Sequence, residues 1–249
     1  MLQLTIMKIT GYGPWTLTLG SDREHELQML QASLYQKVQE LFSKKNGLVF
    51  LNRADEFFAV TNQISLDDHI EIQKELESKF EIKLSMSIGY GTSPFSANIL
   101  ANNGKKLKKF LSEKHNIFGS MNGKDEQNVT IMHLDVDSLT EKRKMISPYE
   151  TSLLMFKLYS RMCEFFLENK SLAFFMGGDN FMIISNSEHK VNAQKFIDTI
   201  KQEMDLFLNC GIGSGITARA AAGLATKSLD TIREIRDSGK QKPEVYELK

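Results

Sequence analysis

The chain is expected to fold as an α+β protein built from two tandem ferredoxin-like βαββαβ domains related by internal duplication. Three observations predict this. A single ungapped shift lays residues 48–62 (LVFLNRADEFFAVTN) on residues 172–186 (LAFFMGGDNFMIISN), pairing Leu48 with Leu172, Phe50 with Phe174, Asp55 with Asp179 and Phe57 with Phe181. The same shift carries Gly89, Gly91, Leu100 and Ala101 onto Gly213, Gly215, Leu224 and Ala225, and self-similarity over such a distance marks repeated structural units. Each half also switches between hydrophobic periods of 2 and 3.6 in the order strand, helix, strand, strand, helix, strand.

Residues 2–9 alternate apolar with polar and are predicted as a strand, while residues 23–42 carry Leu27, Leu30, Leu34, Val38 and Leu41 at helical spacing. Residues 48–61 are two apolar runs around a turn, a hairpin. Ser65 with Asp68 three positions on signals a capped helix over 67–80, followed by a strand at 82–90 and a helix from about Phe95. The second half repeats this with a strand at 129–135, a helix at 149–167, a hairpin at 172–185, a helix at 188–207 and a strand at 210–216. Right-handed crossovers put these helices on one sheet face and leave the other free for a partner domain or a ligand. Residues 102–128 are polar and lysine-rich, so the domains are placed at 1–118 and 129–249 with a linker at 119–128. The lysines there read as a solvated helix face.

Composition narrows the function classes. With 31 basic and 31 acidic side chains the formal net charge is zero, which disfavours a nucleic-acid scaffold or a binder of anionic membranes. No apolar stretch approaches the roughly 18 residues needed to cross a bilayer, and the first residues do not read as a signal peptide. Cys163 and Cys210 stand apart from each other and from any CxxC spacing, so neither a disulfide framework nor a zinc-thiolate site is expected. A reducing cytoplasm suits such a chain.

One region gathers carboxylates, glycines and strand ends. Asp135 and Asp137 end the strand HLDVD, and Gly177, Gly178 and Asp179 form the turn of FFMGGDNF. In a ferredoxin-like sheet the first strand neighbours the hairpin, so Asp135 and Asp179 are expected to approach each other. Paired carboxylates repel unless a cation lies between them, and Mg²⁺ takes one or two carboxylates while leaving positions for water and phosphate oxygens. The competing reading is a helix cap and a turn aspartate. His133 shares the face of Asp135 by strand alternation. Arg233, in TIREIR, could meet phosphate, although a surface salt bridge is the simpler reading. Tyr12-Gly13-Pro14-Trp15 follows the first strand, where ligand contact and hydrophobic stapling are equally good accounts.

At these residues the chain resembles archaeal GTP cyclohydrolase III over essentially its whole length. The resemblance is carried by YGPWT at residues 12–16, by GLVF and RADEFFAVTN within 47–62, by HLDVDSLT at 133–140 and by FFMGGDNFM at 174–182. It implies two palm-like domains and a homo-oligomeric enzyme using GTP, Mg²⁺ and a monovalent cation such as K⁺. The reaction it implies opens the guanine imidazole ring at C8, retains the formyl group and releases inorganic phosphate. Asp135 and Asp179 are then the metal ligands, with Asp137 a further ligand or base. Tyr12, Gly13, Pro14, Trp15, Arg53, Asp55, Gly177, Gly178, Asn180 and Phe181 would hold the substrate. Two departures stand out: the first hairpin reads Arg53-Ala54-Asp55 without the glycine pair, and Thr10-Gly11 stands where the family commonly supplies a carboxylate. They favour an asymmetric protein whose second repeat keeps the metal pair. A GTP-binding sensor without turnover and a palm-type cyclase or dinucleotide synthase are the alternatives.

Overall fold

The computed structural model describes residues 1–121, 128–137, 139 and 146–248. The chain divides into two compact units, Met1–Thr92 with Ser96–Gln127, and Ser93–Phe95 with Asn128–Lys249. Most of the expected linker, and Ser138 and Thr140 of HLDVDSLT, lie outside the described residues.

The first unit runs β1 (Leu2–Ile9), α1 (Tyr12–Thr16), a 3₁₀ turn (Leu17–Leu19), α2 (Arg23–Lys44), β2 (Leu48–Arg53), β3 (Glu56–Val60), α3 (Leu66–Phe80), β4 (Leu84–Gly91), α4 (Pro94–Lys106), β5 (Phe110–Ser112) and β6 (Ile117–Gly119). The second runs β7 (Val129–Val136), α5 (Pro148–Glu168), β8 (Leu172–Gly177), β9 (Asn180–Ser185), α6 (His189–Met204), β10 (Leu208–Gly215), α7 (Ala218–Asp237) and β11 (Val245–Leu248). The predicted elements are all present, with ends moved by a few residues. The sheet orders are β2-β3-β1-β4-β6-β5 and β11-β10-β7-β9-β8, so the first strand of each repeat lies between the second hairpin strand and the last strand of the ferredoxin-like set.

Local chemistry fixes the helix starts. Ser65 and Asp68 form a reciprocal capping box before α3, and Ser147 with Glu150 does the same before α5, where Pro148 presets the first turn. In the first unit α2 and α3 bury Leu34, Val38, Leu41, Phe42, Ile72 and Leu76 against Met7, Ile9, Phe57 and Met86 of the sheet. In the second, Met155, Leu158, Met162 and Phe166 of α5 and Phe196, Ile197 and Ile200 of α6 meet Met132, Leu134, Val136 and Phe181. Each fully buried side chain of this size contributes about 1.5–3 kcal/mol, so these two layers dominate the stability of their units.

One expectation is corrected. The far sheet faces are not free: α4 lies over β4 and α7 over β10, so closely that a Cβ on Gly213 would come 2.3 Å from the Ala225 nitrogen and 2.4 Å from the Ala221 oxygen. Gly89 makes the same close approach in the first repeat, to Ala97 and Ala101. Small residues at the contact let helix and sheet backbones meet. After α4, β5 and β6 form a hairpin, and β6 pairs with β4 in parallel. At the equivalent place in the second sheet, β11 pairs with β10 in parallel. Among the described residues no helix is long and apolar enough to cross a membrane.

Candidate functional site

In β7, Met132, Leu134 and Val136 enter the core, so alternation sends His133, Asp135 and Asp137 to the opposite face, beneath α7. The β7–β9 register ends at Leu134↔Phe181, one position short of Asp135 and Asn180. The hairpin turn follows from Gly177 at φ 103° and Gly178 at φ 64°, a left-handed region that side-chain-bearing residues occupy at a cost. Asp179 is thereby set beside Asn180, whose Nδ2 donates to Asp179 Oδ1 at 3.0 Å.

His133 ties the two strands together. Asn180 Oδ1 accepts from His133 Nε2 at 3.1 Å, which leaves His133 Nδ1 as the acceptor for the Thr226 hydroxyl at 3.1 Å. Burial holds the imidazole below its ordinary pKa and therefore neutral. The chain Thr226–His133–Asn180–Asp179 thus fixes the hairpin carboxylate from the middle of the sheet.

Asp135, 6% exposed, is closed on both oxygens: Asn209 donates to Oδ1 at 2.9 Å and Arg233 to Oδ2 at 2.6 Å. Arg233, which the sequence places most simply in a surface salt bridge, therefore anchors a buried carboxylate and also reaches Asp230 at 2.8 Å. Asp137 Oδ1 accepts from Arg236 at 3.2 Å and Oδ2 lies 3.1 Å from Lys242. Burial pushes the Asp137 carboxyl up, but Lys242 and Arg236 outweigh it and leave the group below the usual carboxylate range. Asp179 has no cationic partner among the described residues.

Suitability for a divalent cation turns on Asp135 and Asp179. Both offer hard oxygen donors of the kind Mg²⁺ prefers, Asp135 from the end of β7 and Asp179 from the β8–β9 turn. Among the described residues no three His, Cys, Asp or Glu side chains converge, so an ion there would take two carboxylates and complete its shell with water or substrate oxygens, as Mg²⁺ commonly does. The donor types suit Mg²⁺, and both oxygens of Asp135 are already engaged by Asn209 and Arg233. Arg233 already balances the charge of Asp135.

Phe181, expected at the substrate, is a core residue. It is fully buried, stacked near Tyr159 and Phe175, because its position in β9 points toward α5. Tyr12, Gly13, Pro14 and Trp15 form a short helix, α1, where a turn was expected. The Tyr12 hydroxyl accepts from Gln31 at 2.7 Å, its ring lies 6.0 Å from that of Trp15, and Gly13 and Pro14 are exposed.

The first repeat's counterpart is chemically inverted. Lys8 faces Glu56 across β1–β3, and Asp135 stands at the equivalent position of β7. Its ammonium lies 3.6 Å from Asp55 and 3.7 Å from Glu56. Arg53 adds a contact to Asp55 at 3.3 Å. In the first repeat the cation sits on the first strand itself, whereas in the second the cations on Asp135 and Asp137 come from α7 and the segment after it.

Residues 1–245 match the model of the GTP cyclohydrolase III family. The chain belongs to this family. It is 36% identical to the GTP cyclohydrolase III of Methanothermobacter thermautotrophicus, with 94% of this chain and 95% of that protein covered. It is 34% identical to that of Methanobrevibacter smithii, with 96% of each covered. Among solved structures it is similar to an EAL/GGDEF domain protein from M. capsulatus, with a TM-score of 0.41 and 18% identity over 51% of this chain and 88% of that one. Sequence reasoning missed Asn209, Thr226, Arg236 and Lys242, which bond the candidate residues of the second repeat, and Lys8, which bonds those of the first. Arg233 and Arg236 carried a signal, their i, i+3 spacing on one helix face. Each of the others meets its partners within its own unit, through strand register, the packing of α7 or the fold of the C-terminal segment.

Proposed function

We propose that the chain hydrolyses GTP, opening the guanine imidazole ring at C8 to give 2-amino-5-formylamino-6-(5-phosphoribosylamino)pyrimidin-4(3H)-one, with the formyl group retained and inorganic phosphate released. The observation that carries this reading is the family match over residues 1–245. Asp135 and Asp179 would hold Mg²⁺, which supplies charge neutralisation and polarisation of phosphate oxygens when bound. Arg233 is the side chain placed to leave Asp135 for a phosphate oxygen, since guanidinium binds either oxyanion in the same forked geometry. Arg236 and Lys242 hold Asp137 ionised, and the neutral His133 keeps Asn180 aimed at Asp179. Gly177 and Gly178 let the backbone approach the nucleotide. In the first unit, Tyr12, Gly13, Pro14, Trp15, Arg53 and Asp55 are proposed substrate contacts.

Incubating the protein with GTP and Mg²⁺ should erase the purine ultraviolet spectrum and release phosphate, and an unchanged spectrum after long incubation rejects the reading. One observation favours a second reading, GTP binding without turnover: Asp135 is closed by Arg233 and Asn209, and Asp137 by Arg236 and Lys242. That reading expects GTP-dependent thermal stabilisation with the nucleotide recovered intact. Dependence on K⁺, homo-oligomeric assembly and a cytoplasmic location belong to the main proposal. Replacing K⁺ by Na⁺ and weighing the particle in solution check the first two.

A further inference from the structure

A cavity of about 410 Å³ lies in the first unit between the sheet face carrying Lys8 and helix α4. Lys8 enters from β1, and Lys105 from the last turn of α4. Lys105 is half-buried and bonds Ser85 at 2.7 Å. The Lys8 carboxylate partners stand at 3.6 and 3.7 Å, beyond hydrogen-bond reach. Ser87, Asn98 and Asn102 also line the space, and the amides of Asn98 and Asn102 have no hydrogen-bond partner among the described residues. Glu56 is the single carboxylate of the lining and already accepts from Asn52 at 2.7 Å.

Two ammonium groups held together and partly desolvated are mutually unfavourable. Burial first, and the Lys8 ammonium second, hold Lys105 below the ordinary lysine range. A fold that keeps such a pair in a cavity with free amide donors gains most from an anion that offers several acceptors at once. We propose that this cavity binds a phosphate-type oxyanion between Lys8 and Lys105, with Asn98, Asn102 and Ser87 completing its hydrogen bonds. The site occupies, in the first repeat, the sheet face that carries His133 and Asp135 in the second, with the sign of the central charge reversed. It does not depend on the ring-opening reading.

The test is calorimetric titration of the full chain, without divalent metal, using inorganic phosphate in one arm and GMP in the other. Wild type should bind, Lys8→Met and Lys105→Met should each bind at least about tenfold more weakly, a loss of about 1.4 kcal/mol, and Lys105→Arg should retain binding. Binding in the phosphate arm alone assigns the site to the free ion, and lysine-sensitive binding in both arms assigns it to a phosphate monoester; either supports the site. A flat wild-type titration, or methionine variants that bind as wild type does, overturns it, because an anion lodged in the second repeat would ignore these lysines. Reductive methylation of wild type gives a readout independent of variant folding. Phosphate should protect Lys8 and Lys105, and unchanged labelling of both refutes the proposal.

Discussion

At the level of single residues, Asp55, Asp135 and Asp137 each have a cationic partner, and Asp179 has none among the described residues. Asp179→Asn removes the acceptor charge that no cation balances among the described residues, so metal-dependent GTP turnover should fall at least about a hundredfold, measured by loss of purine absorbance. Asp55→Asn should weaken GTP binding and leave residual chemistry, and complete loss would give both repeats an equal catalytic share. His69 supplies a pH test. It is fully buried, its Nδ1–H donates to the Ser65 carbonyl at 2.7 Å, and its Nε2 accepts from Thr5 at 2.8 Å. Burial lowers its pKa to about 4 from 6.5. A folded pKa below the unfolded one means that stability is fully present above about pH 6.5 and declines as pH falls toward 4. The loss could reach about 3 kcal/mol, and His69→Gln should flatten this part of the melting-temperature profile. Asp135 and Asp179 were legible from the strand-end and turn motifs, whereas the saturation of Asp135 was not. Its partners lie far along the chain: the β7–β10 pairing sets Asn209 opposite Asp135, and the packing of α7 brings in Arg233.

Elements were legible where one period ran uninterrupted. The hairpins, the long helices and the capping boxes all express local rules, so Ser65→Ala should cost about 1 kcal/mol by thermal denaturation. The helix after the last strand of each ferredoxin-like set, α4 and α7, shows what local rules omit. Periodicity gives a helix after β4 and after β10, but its placement on the far sheet face depends on glycines that allow backbone contact. Gly213→Ala should therefore cost about 1–3 kcal/mol, seen as a lower melting temperature, because Cβ would collide with main-chain atoms of α7. Phe181 was misread for a related reason: it adjoins the glycine turn in sequence, but strand alternation turns it into the core.

Across the whole molecule, duplication was plain from one shift that aligns Asp55 with Asp179 and Gly89 with Gly213. The divergence of the copies was only half visible. Thr10 and the missing glycine pair signalled it, but the charge reversal at Lys8 needed the β1–β3 and β7–β9 registers. Lys8→Asp should place a carboxylate beside Asp55 and raise the number of divalent ions bound per chain by about one, measured by equilibrium dialysis. An unchanged count would mean that the first hairpin cannot host an ion even with its cation removed. The late-joining strands have a different bearing on the molecule. β6 and β11 cover the flanks of β4 and β10, and the new outermost ribbons are only three residues at β5 and four at β11. Short borders are poor templates for an incoming peptide, so the sheets resist open-ended growth into fibres from those sides.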